Sequence, residues 1–485
     1  MSTTSPTGAI GMPLRRIDGV LKVTGTAPYA FEQPVEQPVY AHLLLSDVAR
    51  GTIAAVESED ASAMDGVLLV LTHENAPRLA QDDNQELFIL QDTEVHFRGQ
   101  IVGAVIAESP EIAREAAARV RITYHQQPHD VVLRVDHPGL YKPDQVNPRF
   151  ETDTAEGDLD RAMSSAAITI DEHYTTPMEH NNPMEPHATI AIHHGDALTL
   201  YDSTQGPFAV ASSIAPLFGL EPSRVHVIAP HVGGGFGSKG TPHAHIVLAA
   251  LAAQMIPGRA VKLALTRQQM FAFVGYRTPT IQHVRLAADS DGHLLGIGNE
   301  VVEQTAKLKE FAEQTAVPTR MMYAADNRLT SHRLAPLDVA VPSWMRAPGE
   351  CPGMFAPEVA MDELAGAAGV DPVELRILNE PEVDPETGNP WSSRRLTECL
   401  RRGAERFGWA DRDPRPASRR NDGWFVGLGV ASAVYPVNRI PGTSARIVRQ
   451  ADGRYGVHIA AADIGTGAWT SRTQIAAQAL DVSPE

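Results

Sequence analysis

The chain has 485 residues, 43% of them hydrophobic, with 59 acidic side chains against 41 basic ones and a formal charge of −18. That length implies roughly two to four domains with substantial cores, and so acidic a balance excludes general affinity for a long phosphate backbone. No apolar run reaches the ~20 residues that span a bilayer.

In the first 130 residues, Val39–Leu45, Val67–Leu71, Ile101–Ala107 and Arg121–Tyr124 read as strands, and Glu111–Val120 as an amphipathic helix. They predict an α+β module over residues 16–130, after a tail at 1–15. Met1–Gly8 lacks the charged-then-apolar pattern of a signal peptide, and Arg15-Arg16 is not followed by an apolar segment. The chain therefore reads as mature and cytoplasmic, with export only in the company of a partner.

A polar, Pro-rich crossing over 131–165 leads into a longer α/β region at 166–408. Within it, Arg224–Pro230 reads as a strand, His243–Met255 as an apolar helix and Pro357–Ala365 as helical. Asp371-Pro372 gives an N-cap with Pro in the first turn, and a capped helix is expected from Ser392 to about Phe407. A second linker at 409–422 precedes a last region, 423–485, where Gly423–Ala462 alternates like paired strands. Cys351 and Cys399 are too few for a disulfide framework, and they cannot supply the four thiolates of an iron–sulfur cluster. Any electron relay belongs to another subunit.

The most informative segment is Val232-Gly-Gly-Gly-Phe-Gly-Ser-Lys-Gly240, lying between a strand and a helix. Glycine lets the backbone approach a ligand closely, and a helix start carries partial positive charge, so the loop suits an anionic or oxo-bearing ligand. From Pro222 to Ala288, 67 residues pass without an Asp or Glu, while seven Lys and Arg residues fall among them. This island carries +7 and leaves −25 for the rest of a chain at −18. It fits a bound polyanion, or a buried strand–helix unit that lacks acids.

Gly235-Phe-Gly-Ser-Lys-Gly240 satisfies G-x-G-x-x-G, but the ribose-binding acid due about 20 positions on is missing; the next acid is Asp289. Lys239 is followed by Gly240 rather than Ser or Thr, which disqualifies a Walker loop. His243 and His245 have no nearby carboxylate for a zinc site, and His180, His187, His193 and His194 lack the context for one. No G-x-S-x-G elbow supports serine hydrolysis.

Four further segments accompany the loop: Asn182-Pro-Met-Glu-Pro-His-Ala-Thr-Ile190, Ser203-Thr-Gln-Gly206, Met345-Arg-Ala-Pro-Gly-Glu350 and Asp463-Ile-Gly-Thr-Gly467. In this order, with Gly233–Gly237 third, they resemble the molybdenum-binding subunit of the xanthine dehydrogenase/aldehyde oxidoreductase family. Arg16-Ile-Asp-Gly-Val-Leu-Lys-Val-Thr-Gly25 and Ala27-Pro-Tyr29 resemble that subunit's N-terminal hammerhead module. The resemblance implies a hammerhead module followed by two elongated molybdopterin-binding domains, 166–408 and 423–485, the second incomplete.

It also implies a molybdenum ion held by a pterin dithiolene, in the cytosine dinucleotide form usual in bacteria, with no protein side chain on the metal. By motif position, Gln205 would hydrogen-bond an oxo ligand of the metal, as would the backbone around Gly234, Gly235, Phe236 and Gly237. Ile464, Gly465, Thr466 and Gly467 would hold the pterin phosphate or its nucleotide. Arg346 would stabilise charge developing on the substrate oxygen. The residues alone also allow Gln205 to cap a turn and Arg346 to be a structural ion-pair partner.

The reaction implied is oxidative hydroxylation with oxygen from water, the electrons leaving through [2Fe-2S] clusters and FAD on an iron–sulfur subunit and an FAD subunit. Gly240 stands where purine hydroxylases of the family carry Glu, so an aldehyde is the expected small-molecule substrate, a purine or N-heterocycle the alternative. The family's general base is a glutamate well beyond the Asp-Ile-Gly-Thr-Gly motif, and Glu485 lies only 18 residues after Gly467. The expectation is that residues 1–485 lack the base and are inactive alone; a non-catalytic scaffold of the same family is the competing reading.

Overall fold

The computed structural model describes residues 8–80, 84–436 and 441–484. The N-terminal part contains β1 (Val39–Leu45), β2 (Gly51–Glu57), β3 (Val67–Thr72), β4 (Glu94–Val95), β5 (Ile101–Ala107) and β6 (Arg121–Gln126). β7 (Thr154–Glu156), β8 (Ile168–Thr176), β9 (Ala188–His194), β10 (Ala197–Asp202), β11 (Val225–Ile228) and β12 (Val261–Ala264) follow. Then come β13 (Thr280–Ala288), β14 (Leu294–Ala306) and β15 (Asn327–Leu337). The strands expected before the glycine loop and the helices Pro110–Ala117 and Ala244–Met255 form where the apolar patterns place them.

The N-terminal module does not stand apart. Seven strands make one sheet in the order β11-β10-β9-β12-β1-β5-β3. Its seam is the parallel pair β1 and β12, with Val39 opposite Val261 and Tyr40 opposite Lys262. Every residue of β5 is buried, as its unbroken apolar run requires of a strand covered on both faces. Helix Ala244–Met255 is apolar all round, and residues 244–253 are all buried, the signature of an interior helix. One core joins Val39, Leu71 and Ile106 from the first module to Leu198, Ile214, Val247 and Val261 from the next.

A second sheet has the order β7-β15-β14-β13-β8 and is covered by helix Glu350–Ala368, whose Met354, Met361 and Leu364 pack with Val284, Leu286 and Ile297. The crossing expected at 131–165 contributes to this sheet. β7 pairs with β15, and helix Leu159–Ser165, capped by the Asp158 carboxylate on the Arg161 N–H at 2.9 Å, lays Leu159 against Gly296 and Gly298. Helix Pro372–Leu378 starts as its sequence indicates, with Asp371 accepting the Val373 N–H at 2.8 Å.

Two local expectations change. The helix expected from Ser392 begins at Leu396, with no side-chain cap. Arg394 holds the approach extended by pairing with Glu380 at 2.6 and 2.7 Å, stacking on Trp391 and donating to the Met322 carbonyl. The strands expected over Gly423–Ala462 reduce to a short turn at 420–425 and the hairpin Ala445–Arg449/Tyr455–Ile459; residues 437–440 of that stretch lie outside the described residues. Residues 426–436 instead run as a strap over helix Glu350–Ala368, because Ser432 N–H donates to Glu358 at 2.6 Å while Leu428 and Val430 pack near Leu400 and Trp409.

Glu358 is the buried post for that strap, accepting also from the Tyr323 hydroxyl and from Arg376 Nε at 2.8 Å. The Glu358→Ala variant leaves the fully buried Arg376 with Asp362 as its one carboxylate partner among the described residues, beside two backbone carbonyls. Removing one partner of such a pair costs about 3 kcal/mol, so chemical denaturation should show a loss of that size.

Candidate active site

The glycine loop is where the separate motifs meet. A Cβ on Gly233 would lie 2.5 Å from Glu185 Cβ, on Gly235 2.2 Å from Gln205 Oε1, and on Gly237 2.2 Å from the Trp344 carbonyl oxygen. Each glycine thus admits one distant segment to van der Waals contact with the loop. Phe236 is left-handed at φ +55°, and its carbonyl accepts from Arg346 N–H and from Asn181 Nδ2, both at 2.8 Å. Asn181 also donates to the Trp344 carbonyl at 3.1 Å. Gln205, Gly234–Gly237 and Arg346 therefore form one hydrogen-bonded unit.

Gln205 Oε1 accepts the Gly237 N–H at 2.9 Å. An N–H can only donate, so this bond fixes which end of the amide meets the Gly237 N–H and leaves Nε2 as a donor. The N–H groups of Gly234, Gly235 and Phe236 find no acceptor among the described residues. The helix start lies farther off than the sequence suggests. Helix Ala244–Met255 begins behind His243, and His187 and His243 both turn Nε2 to the Ser238 carbonyl, at 3.1 and 2.8 Å. The cradle is made by the loop backbone.

The basic island has a different role from the one its charge suggests. Lys239 is buried and paired with Glu185 Oε2 at 2.8 Å, and the same oxygen accepts the Gly233 N–H at 2.8 Å. Burial pushes the Lys239 amine below its ordinary pKa despite this partner. Arg224 pairs with Asp196, Arg259 with Glu108, Arg277 with Glu179, and Arg285 with Asp160 and Glu300. Lys262 sits over Phe31, and Arg267 donates to the Pro183 and Met184 carbonyls. The acids absent from the island arrive from outside it, so its cations brace the fold.

Arg346 is exposed, and its guanidinium has no carboxylate partner among the described residues, unlike a structural ion-pair residue. Its backbone is held instead: Arg277 Nη2 donates to the Arg346 and Met345 carbonyls at 2.6 and 3.2 Å, while Nη1 meets Glu179 at 3.0 Å and Cys351 Sγ at 2.9 Å. Arg277, Glu185 and Asn181 are structural partners that the sequence did not reveal. Their one signal is position: Glu185 lies inside the Asn182–Ile190 motif, Asn181 just before it, and Arg277 in the acid-free island.

Ile464–Gly467 form a loop around the Asp463 carboxylate, which accepts N–H groups of Gly465, Gly467 and Trp469 at 2.9, 3.2 and 3.3 Å. Burial alone would raise the Asp463 pKa, but these donors and Arg16 outweigh it and hold the carboxyl low. Arg16 donates to the Gly465 carbonyl at 2.9 Å, so the opening motif folds onto the closing one. Helix Ala468–Leu480 starts there, and Trp469 stacks near His231, at the entry to the glycine loop, with ring centroids 5.6 Å apart.

Three domain families match in order: the aldehyde oxidase and xanthine dehydrogenase a/b hammerhead domain over 24–128, and molybdopterin cofactor-binding domains over 141–380 and 402–485. The aldehyde oxidoreductase molybdenum-binding subunit PaoC of Escherichia coli (strain K12) is 38% identical over 480 residues, covering 98% of this chain and 64% of PaoC. The chain belongs to the xanthine dehydrogenase/aldehyde oxidoreductase family of molybdenum-binding subunits. The xanthine dehydrogenase molybdenum-binding subunit of Escherichia coli O157:H7 is 27% identical, with 96% of this chain and 65% of that one covered. Among solved structures, quinoline 2-oxidoreductase from Pseudomonas putida 86 shares the fold at a TM-score of 0.82 and 22% identity, over 97% of this chain and 65% of its own. This member of the family spans a little under two thirds of the length of these relatives.

Glycine at 237 should be sharply required. Both Gly237 and Gly219 have positive φ, but a Cβ at 219 meets nothing. Gly219→Ala should cost about 1–2 kcal/mol for the backbone conformation, and Gly237→Ala about 2–4 kcal/mol with the added clash; paired thermal melts would check the difference.

Proposed function

We propose that this chain forms the cofactor- and substrate-holding part of a molybdenum hydroxylase that oxidises an aldehyde to a carboxylic acid, with water as the oxygen source. The observation that carries this reading is the Gln205 amide, its oxygen locked by the Gly237 N–H and its Nε2 left as a donor, on the same hydrogen-bonded unit as the unpaired Arg346. Bound there as molybdopterin, proposed in its cytosine dinucleotide form, the metal supplies two-electron oxidation.

The chain's residues fit such a group in kind. Gln205 Nε2 and the free N–H groups of Gly234, Gly235 and Phe236 are neutral donors suited to polar ligands on a metal that no side chain coordinates, and no metal-holding cluster of His, Cys, Asp or Glu occurs among the described residues. The Ile464–Gly467 turn is proposed for the phosphate part; Asp463 takes the N–H groups of Gly465, Gly467 and Trp469, so a phosphate there would use the turn's other donors, such as the Thr466 hydroxyl. Arg346, held only by its backbone, is free to orient a carbonyl oxygen and to stabilise negative charge growing on it.

The substrate class rests on Gly240, where the purine branch carries Glu, and on the similarity to PaoC. Electrons must leave the site, and the two cysteines are both free and exposed. The reading therefore assigns [2Fe-2S] clusters and FAD to partner subunits, an iron–sulfur subunit and an FAD subunit. No helix among the described residues is long and apolar enough to cross a membrane.

We further propose that residues 1–485 do not turn over alone. The hairpin at 445–459 is exposed on both faces and pairs with no third strand among the described residues, and two-stranded hairpins need further packing to be stable. The polypeptide, purified from a molybdopterin-proficient host, should show little aldehyde oxidation with an artificial acceptor; robust turnover by it alone would overturn this. In a complete assembly, Arg346→Ala should lower kcat/KM for aldehydes about 100-fold, the size of effect known for removal of one transition-state donor. Unchanged kinetics would sink the assignment of Arg346.

A further inference from the structure

Behind the Arg346 loop lie three acids that the proposed chemistry does not use. Glu303 on β14, Glu313 in the following segment and Glu350 at the start of helix Glu350–Ala368 are buried at 0%, 0% and 6% exposure. Glu303 Oε1 accepts from the Thr315 hydroxyl, and Glu313 Oε1 accepts the Gly349 N–H at 2.8 Å. The second oxygen of each, Oε2, is buried without a partner. Two further buried polar atoms nearby are equally unpartnered: Arg277 Nε, a donor, and Gln314 Oε1, an acceptor on the side chain whose Nε2 holds the Pro348 carbonyl at 2.6 Å. Arg277 and Gln314 are themselves only 4% and 5% exposed.

Buried polar groups left unpaired are costly, and a polar interior of this kind is satisfied by internal water and by protonation. The groups facing one another are Glu303 from β14, Glu313, Gln314 and Thr315 from the segment after it, Glu350 and Cys351 from the helix, and Arg277 and Glu179 from the strand ends opposite. Arg277 is the one cation whose charge is felt by Glu313 and Glu350, and Glu179 already shares it. One cation cannot hold three buried carboxylates ionised.

We propose that Glu303, Glu313 and Glu350 form a hydrated, proton-sharing cluster that positions Arg346 from behind. Arg277 fixes the loop through the Met345 and Arg346 carbonyls, and Glu313 fixes it through the Gly349 N–H. The cluster's acids are positioning residues, and only their effect on turnover rests on the reading of Arg346 given above. Burial raises all three: Glu313, with Glu350 and Glu179 as like charges, to about 7, Glu350 to about 7, and Glu303, beside Glu313, well above the usual carboxylate range.

The sign of the pH effect follows. Folding raises the Glu313 pKa from 4.5 to about 7, so the native state holds the proton more tightly than the unfolded chain does. Its stabilising contribution is complete below 4.5 and is lost as pH rises through about 7. Wild type should therefore lose thermal stability relative to Glu313→Gln across that window.

Infrared spectroscopy of the full chain in H2O and D2O should show a buried carboxylic acid band that persists at neutral pH and loses intensity in Glu303→Gln. Hydrogen exchange separates proton sharing from positioning. Glu313→Gln keeps an acceptor for the Gly349 N–H and should leave exchange over residues 346–351 unchanged, whereas Glu313→Leu should speed it about tenfold or more. An absent acid band in wild type, or equal exchange in Glu313→Gln and Glu313→Leu, would overturn the proposal. Should Arg346→Ala leave aldehyde turnover untouched, the functional reading fails while the spectral and exchange results still decide the cluster.

Discussion

The structure depends on close backbone approach at three glycines. At 233, 235 and 237 the space for a Cβ is already taken by Glu185, Gln205 and Trp344. Because those contacts come from segments 30 to 110 positions away in the chain, the loop cannot adopt its path until β9, β10 and the 341–350 crossing are in place around it. That is why the site draws on segments next to strands of both sheets, Glu185 before β9, Gln205 after β10 and Trp344 after β15.

Electrostatics follows the same geometry. Five of the seven cations around the loop are paired with acids from outside the island, namely Arg224, Lys239, Arg259, Arg277 and Arg285, while Lys262 sits over Phe31 and Arg267 donates to backbone carbonyls. Lys239 is the clearest case, buried against Glu185, whose other bond holds the Gly233 N–H. What remains to face a ligand is a set of neutral donors, the Gln205 amide and the loop N–H groups, with Arg346 as an unpaired charge beside them. Neutral, preoriented donors discriminate a ligand by shape and hydrogen bonding, whereas a row of lysines would attract any anion.

The two ends of the described chain are brought together as well. Arg16 reaches the Gly465 carbonyl, Ile17 N–H meets Thr470 Oγ1 at 3.2 Å, and Gln474 donates to the Ala9 and Met12 carbonyls. The Ile464–Gly467 turn is therefore set by residues from the start of the sequence, and the site is assembled from every part of the chain. The buried acids behind Arg346 extend this logic inward, since they hold the substrate-side loop through its backbone.

Much was legible in the sequence. Apolar runs located β1, β3, β5, β6 and β11, Asp371-Pro372 marked a helix start, and five ordered motifs carried the family and its expected site residues. These signals are local: periodicity and turn chemistry act within a few residues. Partnerships across long separations were not legible. Nothing in Val39 or Val261 announces that they pair, and no count of charges shows that Arg259 meets Glu108. The sequence by itself determined which segments are strands, helices and close-approach loops, because backbone sterics and side-chain patterning are properties of short stretches. Only the tertiary structure decided that most cations of the basic island are paired internally, that Arg346 stands free while Arg277 grips its backbone, and that three acids share one interior, because Coulomb interactions and desolvation depend on distances that folding alone creates.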